Sequence, residues 1–291
     1  MISSDTPRPG ARGTIVTLVR LSRWRFWLYL AGPYLVGCAA GIPALRELNR
    51  LWFWGHLVFF LFPANLMLYG LNDLFDTETD SRNPKKGSVE HKLRHSEHNV
   101  AVIAVAAALL TAIVVAAVQH TREASITMTV FTALAVFYSA PPIRFKARPI
   151  LDSASNVLYA LPGFLGYIQA GGSSVPAGAV VVAGLWTAAM HLFSAIPDIE
   201  SDRSAAVHTT ATLLGFRKSL AACAILWTAF AATVVLQASL WPWSLAAVIY
   251  PGIGLTLLFL NRDAIYRFYW RFPLINAGSG MFAFFVLALS K

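Results

Sequence analysis

The sequence predicts an all-α integral membrane protein, a bundle of nine transmembrane helices. Three observations carry this. Of its 291 residues, 57% are hydrophobic and only 13% are charged. Several apolar runs approach the roughly 20 residues that span a bilayer, where helices satisfy every backbone polar group internally. The Lys and Arg residues between these runs fall unevenly on alternate sides.

Residues 1–14 are rich in Pro, Gly, Arg and Ser and read as a flexible cytoplasmic tail. Residues 15–291 read as a single transmembrane domain, its first apolar run too long and too Arg-flanked for a cleaved signal. The nine expected spans are 24–42, 51–71, 99–118, 125–140, 151–170, 177–196, 218–239, 243–260 and 273–290. The amino-terminal segment and the even-to-odd connections carry five, five, three, three and three Lys and Arg, nineteen together, against four on the other side. This bias puts the amino terminus in the cytoplasm and the carboxyl terminus outside. It also accounts for the net charge of +9, which in a soluble chain points to nucleic acid. Cys38 and Cys223 lie in apolar runs without metal or disulfide spacing, as small core residues do.

Two acidic stretches stand out at span ends on the cytoplasmic side. Residues 72–80 read Asn-Asp-Leu-Phe-Asp-Thr-Glu-Thr-Asp, and residues 198–202 read Asp-Ile-Glu-Ser-Asp. Seven of the 14 Asp and Glu residues lie in these short pieces, and such crowding of like charge needs a cation. On a helix Asn72, Asp76 and Asp80 share a face, as do Asp198 and Asp202. Oxygen donors without Cys or His suit Mg²⁺, which is held by a few carboxylates plus substrate phosphates. The plainer alternative is a solvated loop and, for Asp198 after Pro197, a helix N-cap. The recurrence of the spacing favours a metal–diphosphate site in which Asp76 and Asp198 act directly in catalysis.

Residues 138–146, Tyr-Ser-Ala-Pro-Pro-Ile-Arg-Phe-Lys, form a third cytoplasmic piece. The paired prolines stop the helix and fix a turn. Arg144 and Lys146 are then aimed to balance leaving-group charge. The rigid turn favours this over the alternative of topological anchors, the role assigned to Arg148. Arg23 either snorkels to the headgroups or reaches the diphosphate. Lys85 and Lys86 read as loop charges. Asp152 and Asn156, one helical turn apart, face a bundle cavity or serve a cap. His91, His95 and His98 mimic a metal comb in a polar, solvated piece. His191 is a packed polar residue or a cavity residue. Some of the 37 aromatic rings must line any apolar cavity and stabilise a carbocation.

These motifs resemble the UbiA superfamily of intramembrane prenyltransferases. Asn72, Asp76 and Asp80 meet its first motif, with Asp73 in an adjacent acidic position; Asp198 and Asp202 meet the second; Tyr138 to Lys146 meet the Tyr-Ser-x-Pro-Pro-x-Arg-x-Lys element. The resemblance covers the chain from Arg23 onward. It implies a nine-helix bundle around a lateral cavity, and Mg²⁺ held by Asn72, Asp73, Asp76, Asp80, Asp198 and Asp202. It also implies a prenyl diphosphate bound by Arg23, Asn72, Tyr138, Arg144 and Lys146, with Lys146 acting in catalysis. The runs Asn72–Gly87, Ser194–Arg203 and Thr209–Gly215 further resemble lycopene elongases, which implies dimethylallyl diphosphate as donor and a long polyene as acceptor. Ala206-Val207-His208 departs from the family pattern of a Gly and a basic residue. The rival readings are an aromatic or quinone-precursor prenyltransferase of the same fold and a cation-coupled transporter. The latter expects acids at the bilayer midplane.

Overall fold

The computed structural model describes residues 11–76, 92–237 and 241–290, and all of their regular structure is helical. Asp80, Glu78, Lys85, Lys86 and His91 lie outside the described residues. The first helix, α1 (Ala11–Leu21), begins inside the stretch expected as a flexible tail. Its Thr17 hydroxyl donates to Glu97 Oε1 at 2.9 Å, which ties it to the start of a later span.

The first span is α2 (Leu28–Gly41). The second is split into α3 (Leu51–Leu61) and α4 (Pro63–Phe75). Pro63 lacks an N–H, so the ladder breaks there. The buried Asn65 side chain fills the gap, donating to the carbonyls of Phe60 at 2.7 Å and Leu61 at 3.1 Å. Interior polar satisfaction of this kind is what lets a kinked helix sit in lipid.

The next spans are α5 (His98–Ala117) and α6 (Arg122–Ser139). Thr121 caps α6, and Ala140 ends it ahead of the paired prolines. The fifth span is broken: α7 (Leu151–Ala154), a 3-10 turn (Ser155–Tyr159) and α8 (Leu161–Gln169). Helices α2 and α8 approach closely through glycine. A Cβ at Gly37 would lie 1.8 Å from the Gly163 carbonyl oxygen, and one at Gly166 would lie 2.5 Å from that of Tyr34. Small residues permit such crossings where lipid supplies no hydrophobic drive between helices.

The sixth span, α9 (Ala177–Ala195), runs through a 3-10 turn (Ile196–Asp198) into the short α10 (Ile199–Ser204). The seventh, α11 (Thr210–Val235), starts eight residues before the expected Lys218. A capping box between Thr209 and Thr212 nucleates this extra turn, and Gly215 (φ 74) bends it. The chain closes with a 3-10 turn (Trp243–Val248), α12 (Ile249–Leu257), α13 (Arg262–Tyr269) and α14 (Phe272–Leu289). α13, capped by Asn261, occupies what was read as a bare connection.

Large apolar side chains point outward along these helices, among them Ile103, Leu110, Ile225, Leu274 and Leu289. Outward apolar surface on this scale means that the surrounding solvent is lipid. By length and composition, five helical stretches among the described residues can cross a membrane: Leu51–Phe75, His95–Ala117, Ala177–Ser204, Thr210–Val235 and Phe272–Leu289. Of the other expected spans, 125–140 falls on the unbroken 18-residue α6, and 24–42, 151–170 and 243–260 fall on shorter or broken helices. Two cores hold the bundle together. One packs α2 to α6 with α8 around Tyr34, Phe60 and Phe131; the other packs α9 and α11 to α14 around Phe193, Trp227 and Phe272. The Tyr159 ring packs against both, at the seam where the site lies.

Candidate active site

The two acidic stretches meet. Asn72 and Asp76 at the end of α4, and Asp198 and Asp202 around α10, line one cavity of about 260 Å³ between the two cores. The α9–α10 junction explains how Asp198 reaches it. Pro197 breaks the α9 ladder, and the 3-10 turn around it puts Asp198, and Asp202 one turn on in α10, on the cavity side.

Basic residues converge on the first stretch. Arg144 Nη2 donates to Asp76 Oδ1 at 3.0 Å, and Lys146 Nζ pairs with Asp76 Oδ2. Asn72 Nδ2 also donates to Asp76 Oδ2, at 3.2 Å. Arg23 Nη2 donates to Asp73 Oδ1 at 2.9 Å, and its guanidinium stands 4.8 Å from the Tyr69 ring centre. Arg23, Arg144 and Lys146 all line the cavity. Asp73 stands apart from the other expected metal ligands: its carboxylate is fully buried, and it is not among the residues facing the cavity.

Arg23 and Arg144 share a local design. Each has a left-handed backbone (φ 48 and φ 47), and each leads a 3-10 turn, Trp24–Phe26 and Phe145–Ala147. A left-handed non-glycine residue is uncommon and costs energy that the fold must offset elsewhere. Two arginines held this way, both directed at the first acidic stretch, mark a position kept for the placement of charge.

Tyr138, Asn156 and His191 line the inner wall. Asp152 lies behind them, completely buried. Its Oδ1 accepts from Ser153 N at 2.8 Å and from the Thr210 hydroxyl, and its Oδ2 accepts from Thr210 N at 2.8 Å. His191 Nε2 lies 3.7 Å from Asp152 Oδ2. Arg148 turns away and donates to the Pro142 carbonyl at 3.2 Å, as an anchor does. His208 faces a separate outer groove beside Arg148 and Arg203.

The donor set bears on metal binding. Among the described residues no three His, Cys, Asp or Glu side chains converge closely enough to hold an ion by themselves. Asp76 faces Asp198 and Asp202 across the cavity instead. That arrangement fits a hard cation that takes one or two carboxylates from each side and completes its shell with phosphate oxygens and water. Among the described residues it forms no preassembled protein cage.

Composition alone does not pick out the cavity's aromatic lining. Phe26, Tyr29, Tyr69, Tyr159, Tyr269 and Phe272 provide it. Tyr69 was within reach of helical spacing, since residues 69, 72 and 76 recur at i, i+3 and i+7 on α4. Tyr159 was not, because it sits in the 3-10 turn of the broken fifth span. The hydroxyls of Tyr69 and Tyr159 lie 3.2 Å apart. The link between Asp152 and the Thr210 end of α11 was also out of reach, since 58 residues separate the partners.

Comparison with known proteins places this geometry. Residues 26–288 match the UbiA prenyltransferase family. The chain is 45% identical over 276 residues to the lycopene elongase/hydratase of Haloferax volcanii, covering 94% of this chain and 88% of that one. It is 42% identical over 272 residues to the lycopene elongase/hydratase of Haloarcula japonica, covering 94% and 90%. In fold it matches a UbiA homolog from Archaeoglobus fulgidus, solved bound to DMAPP and Mg²⁺, with a TM-score of 0.66 at 23% identity over 92% of this chain and 98% of that chain. The chain therefore belongs to the UbiA prenyltransferase family, as an integral membrane prenyltransferase close in sequence to the lycopene elongases.

Proposed function

We propose that the protein transfers a dimethylallyl group from its diphosphate to the terminal alkene of lycopene or a related carotenoid, lengthening C40 to C45 and C50. The observation that carries this is the single cavity in which Asn72, Asp76, Asp198 and Asp202 meet Arg23, Arg144 and Lys146, with aromatic rings beneath. The names of the curated relatives supply the acceptor class. In this reading the amino terminus and the cavity mouth face the cytoplasm and the carboxyl terminus faces outside, as the distribution of Lys and Arg requires.

Asn72, Asp76 and Asp198 with Asp202, together with Asp80, would hold Mg²⁺. When bound with the diphosphate it supplies Lewis-acid neutralisation of the leaving group. Lys146 and Arg144 turn from Asp76 to the diphosphate oxygens and balance the charge that develops as the C–O bond breaks. Tyr138 donates a hydrogen bond to the same oxygens. Arg23, held by Asp73, fixes the far side of the headgroup. The rings of Tyr69, Tyr159 and Phe272 face the allylic cation and shield it from stray water. The acceptor alkene attacks, and the resulting tertiary cation loses a proton or takes up water.

The test is expression in a lycopene-making host, with products followed by mass spectrometry. C45 and C50 pigments are expected. Unchanged lycopene with a prenylated phenol or quinone precursor in its place would overturn the acceptor assignment. In membranes, chelation should stop diphosphate release and Mg²⁺ should restore it; release that persists in chelator would overturn the metal assignment.

A further inference from the structure

We propose that His191, oriented by Asp152, is the catalytic base that takes the proton from the water adding to the tertiary carbocation. The proposal rests on the prenyl transfer to a polyene inferred above and assigns the group that finishes it.

Three observations converge on His191. The first is depth. His191 lines the cavity seven residues before Asp198, roughly 10 Å further along the helix axis. A diphosphate held among the acidic residues would direct its prenyl carbons inward, towards the wall that carries the imidazole. The acidic residues lining the cavity, Asp76, Asp198 and Asp202, sit at the mouth.

The second is the carboxylate behind the ring. Asp152 is completely buried and accepts three hydrogen bonds from neutral donors, Ser153 N, Thr210 N and the Thr210 hydroxyl. Among the described residues its ion-pair partner is His191, whose Nε2 lies 3.7 Å from Oδ2. A buried carboxylate is costly unless a cation is present or forms nearby. A neutral imidazole with Nε2–H turned to that carboxylate keeps its lone pair on Nδ1. The base, its lone pair and the group that stabilises its protonated form are then all in place.

The third is rigidity. The Tyr138 ring stands edge-on to the imidazole, with centroids 6.1 Å apart at 89°, and Asn156 Nδ2 donates to the Asp152 carbonyl at 2.5 Å.

The step balances. The pair of the acceptor's terminal alkene forms the new carbon–carbon bond at C1 of the allyl group, and the C–O bond pair leaves with diphosphate. The tertiary carbon left electron-poor takes a lone pair from water. Nδ1 of His191 accepts the proton which that water sheds, and the imidazolium, held by Asp152, passes it to diphosphate or bulk solvent.

The experiment supplies the full-length protein in lipid bilayers with lycopene, dimethylallyl diphosphate and Mg²⁺ in ¹⁸O-labelled water. It reads diphosphate release, the ratio of hydroxylated to alkene product, and ¹⁸O content. The unaltered protein should give labelled hydroxylated product. In His191→Gln the hydroxylated-to-alkene ratio should fall at least about tenfold, whatever the rate of diphosphate release. Asp152→Asn should shift the ratio the same way by less, as a positioning residue does. Thermal melting reports folding; if His191→Gln does not melt cooperatively, the ratio in Asp152→Asn decides. An unchanged ratio, equal loss of both products, or a parent protein that yields only alkene would overturn the role of His191. A parent that neither releases diphosphate nor lengthens the polyene would instead overturn the transfer reading itself.

Discussion

Two buried carboxylates, one lining the cavity and one behind its wall, are handled in opposite ways. Asp76 is met by two cations, Arg144 and Lys146. Asp152 is met by neutral backbone and hydroxyl donors and by one imidazole. Cations around an acid can be exchanged for a metal and an anionic substrate. Neutral donors cannot follow a charge in that way; they fix where the carboxylate points. The mouth of the cavity is therefore built to trade charge, and its inner wall to hold a direction.

Removing a carboxylate at the mouth gives the largest expected effect. Asp76→Ala or Asp198→Ala should each lower diphosphate release by about a thousandfold or more, roughly 4 kcal/mol of transition-state stabilisation. Steady-state assay with an allylic diphosphate and Mg²⁺ measures it; retained turnover in either variant breaks the comparison at its stronger side. The cations come next, and they should differ. The Lys146 side chain is 11% exposed and that of Arg144 is 36% exposed, so water screens Arg144 more. Lys146→Met should cost about a hundredfold in kcat and Arg144→Met about tenfold, with little change in melting temperature. Equal losses would mean that depth does not set their weight. The smallest effect belongs to the inner wall. Thr210→Val removes one donor to Asp152 and the acceptor of Ile150 N but leaves the backbone donor, so it should cost about 1–2 kcal/mol of stability in a chemical or thermal melt. A loss of activity as deep as that of Asp76→Ala would place Asp152 among the charge-trading groups.

The mouth was legible because its physics is local. Crowded like charges at helical spacing need a cation wherever the chain goes, and Pro141-Pro142 had to place Arg144 beyond a helix end. Partner choice was not legible. That Arg23 takes Asp73 while Arg144 and Lys146 take Asp76 depends on which turn of α4 faces which loop, across separations of 50 to 70 residues. Some misses were avoidable. Pro63 announces the split of the second span. Asn261 with Asp263 announces α13, and Thr209 with Thr212 announces the early start of α11. In the fifth span Pro162 announces the start of α8, whereas Asp152, Ser153, Ser155 and Asn156 do not by themselves say that the segment before it winds as a 3-10 turn. Its 3-10 turn is held by Asn156, whose side chain takes the Asp152 carbonyl.

The pairing of Asp76 with Lys146 and Arg144 has a kinetic meaning. With no substrate present, the binding mouth already carries its own counter-ions. On the proposed function, an arriving diphosphate and its metal would not confront naked like charge. They would change places with partners already there, so each arrival and departure would be an exchange between balanced states, and the leaving diphosphate would exit by the same swap that admitted it.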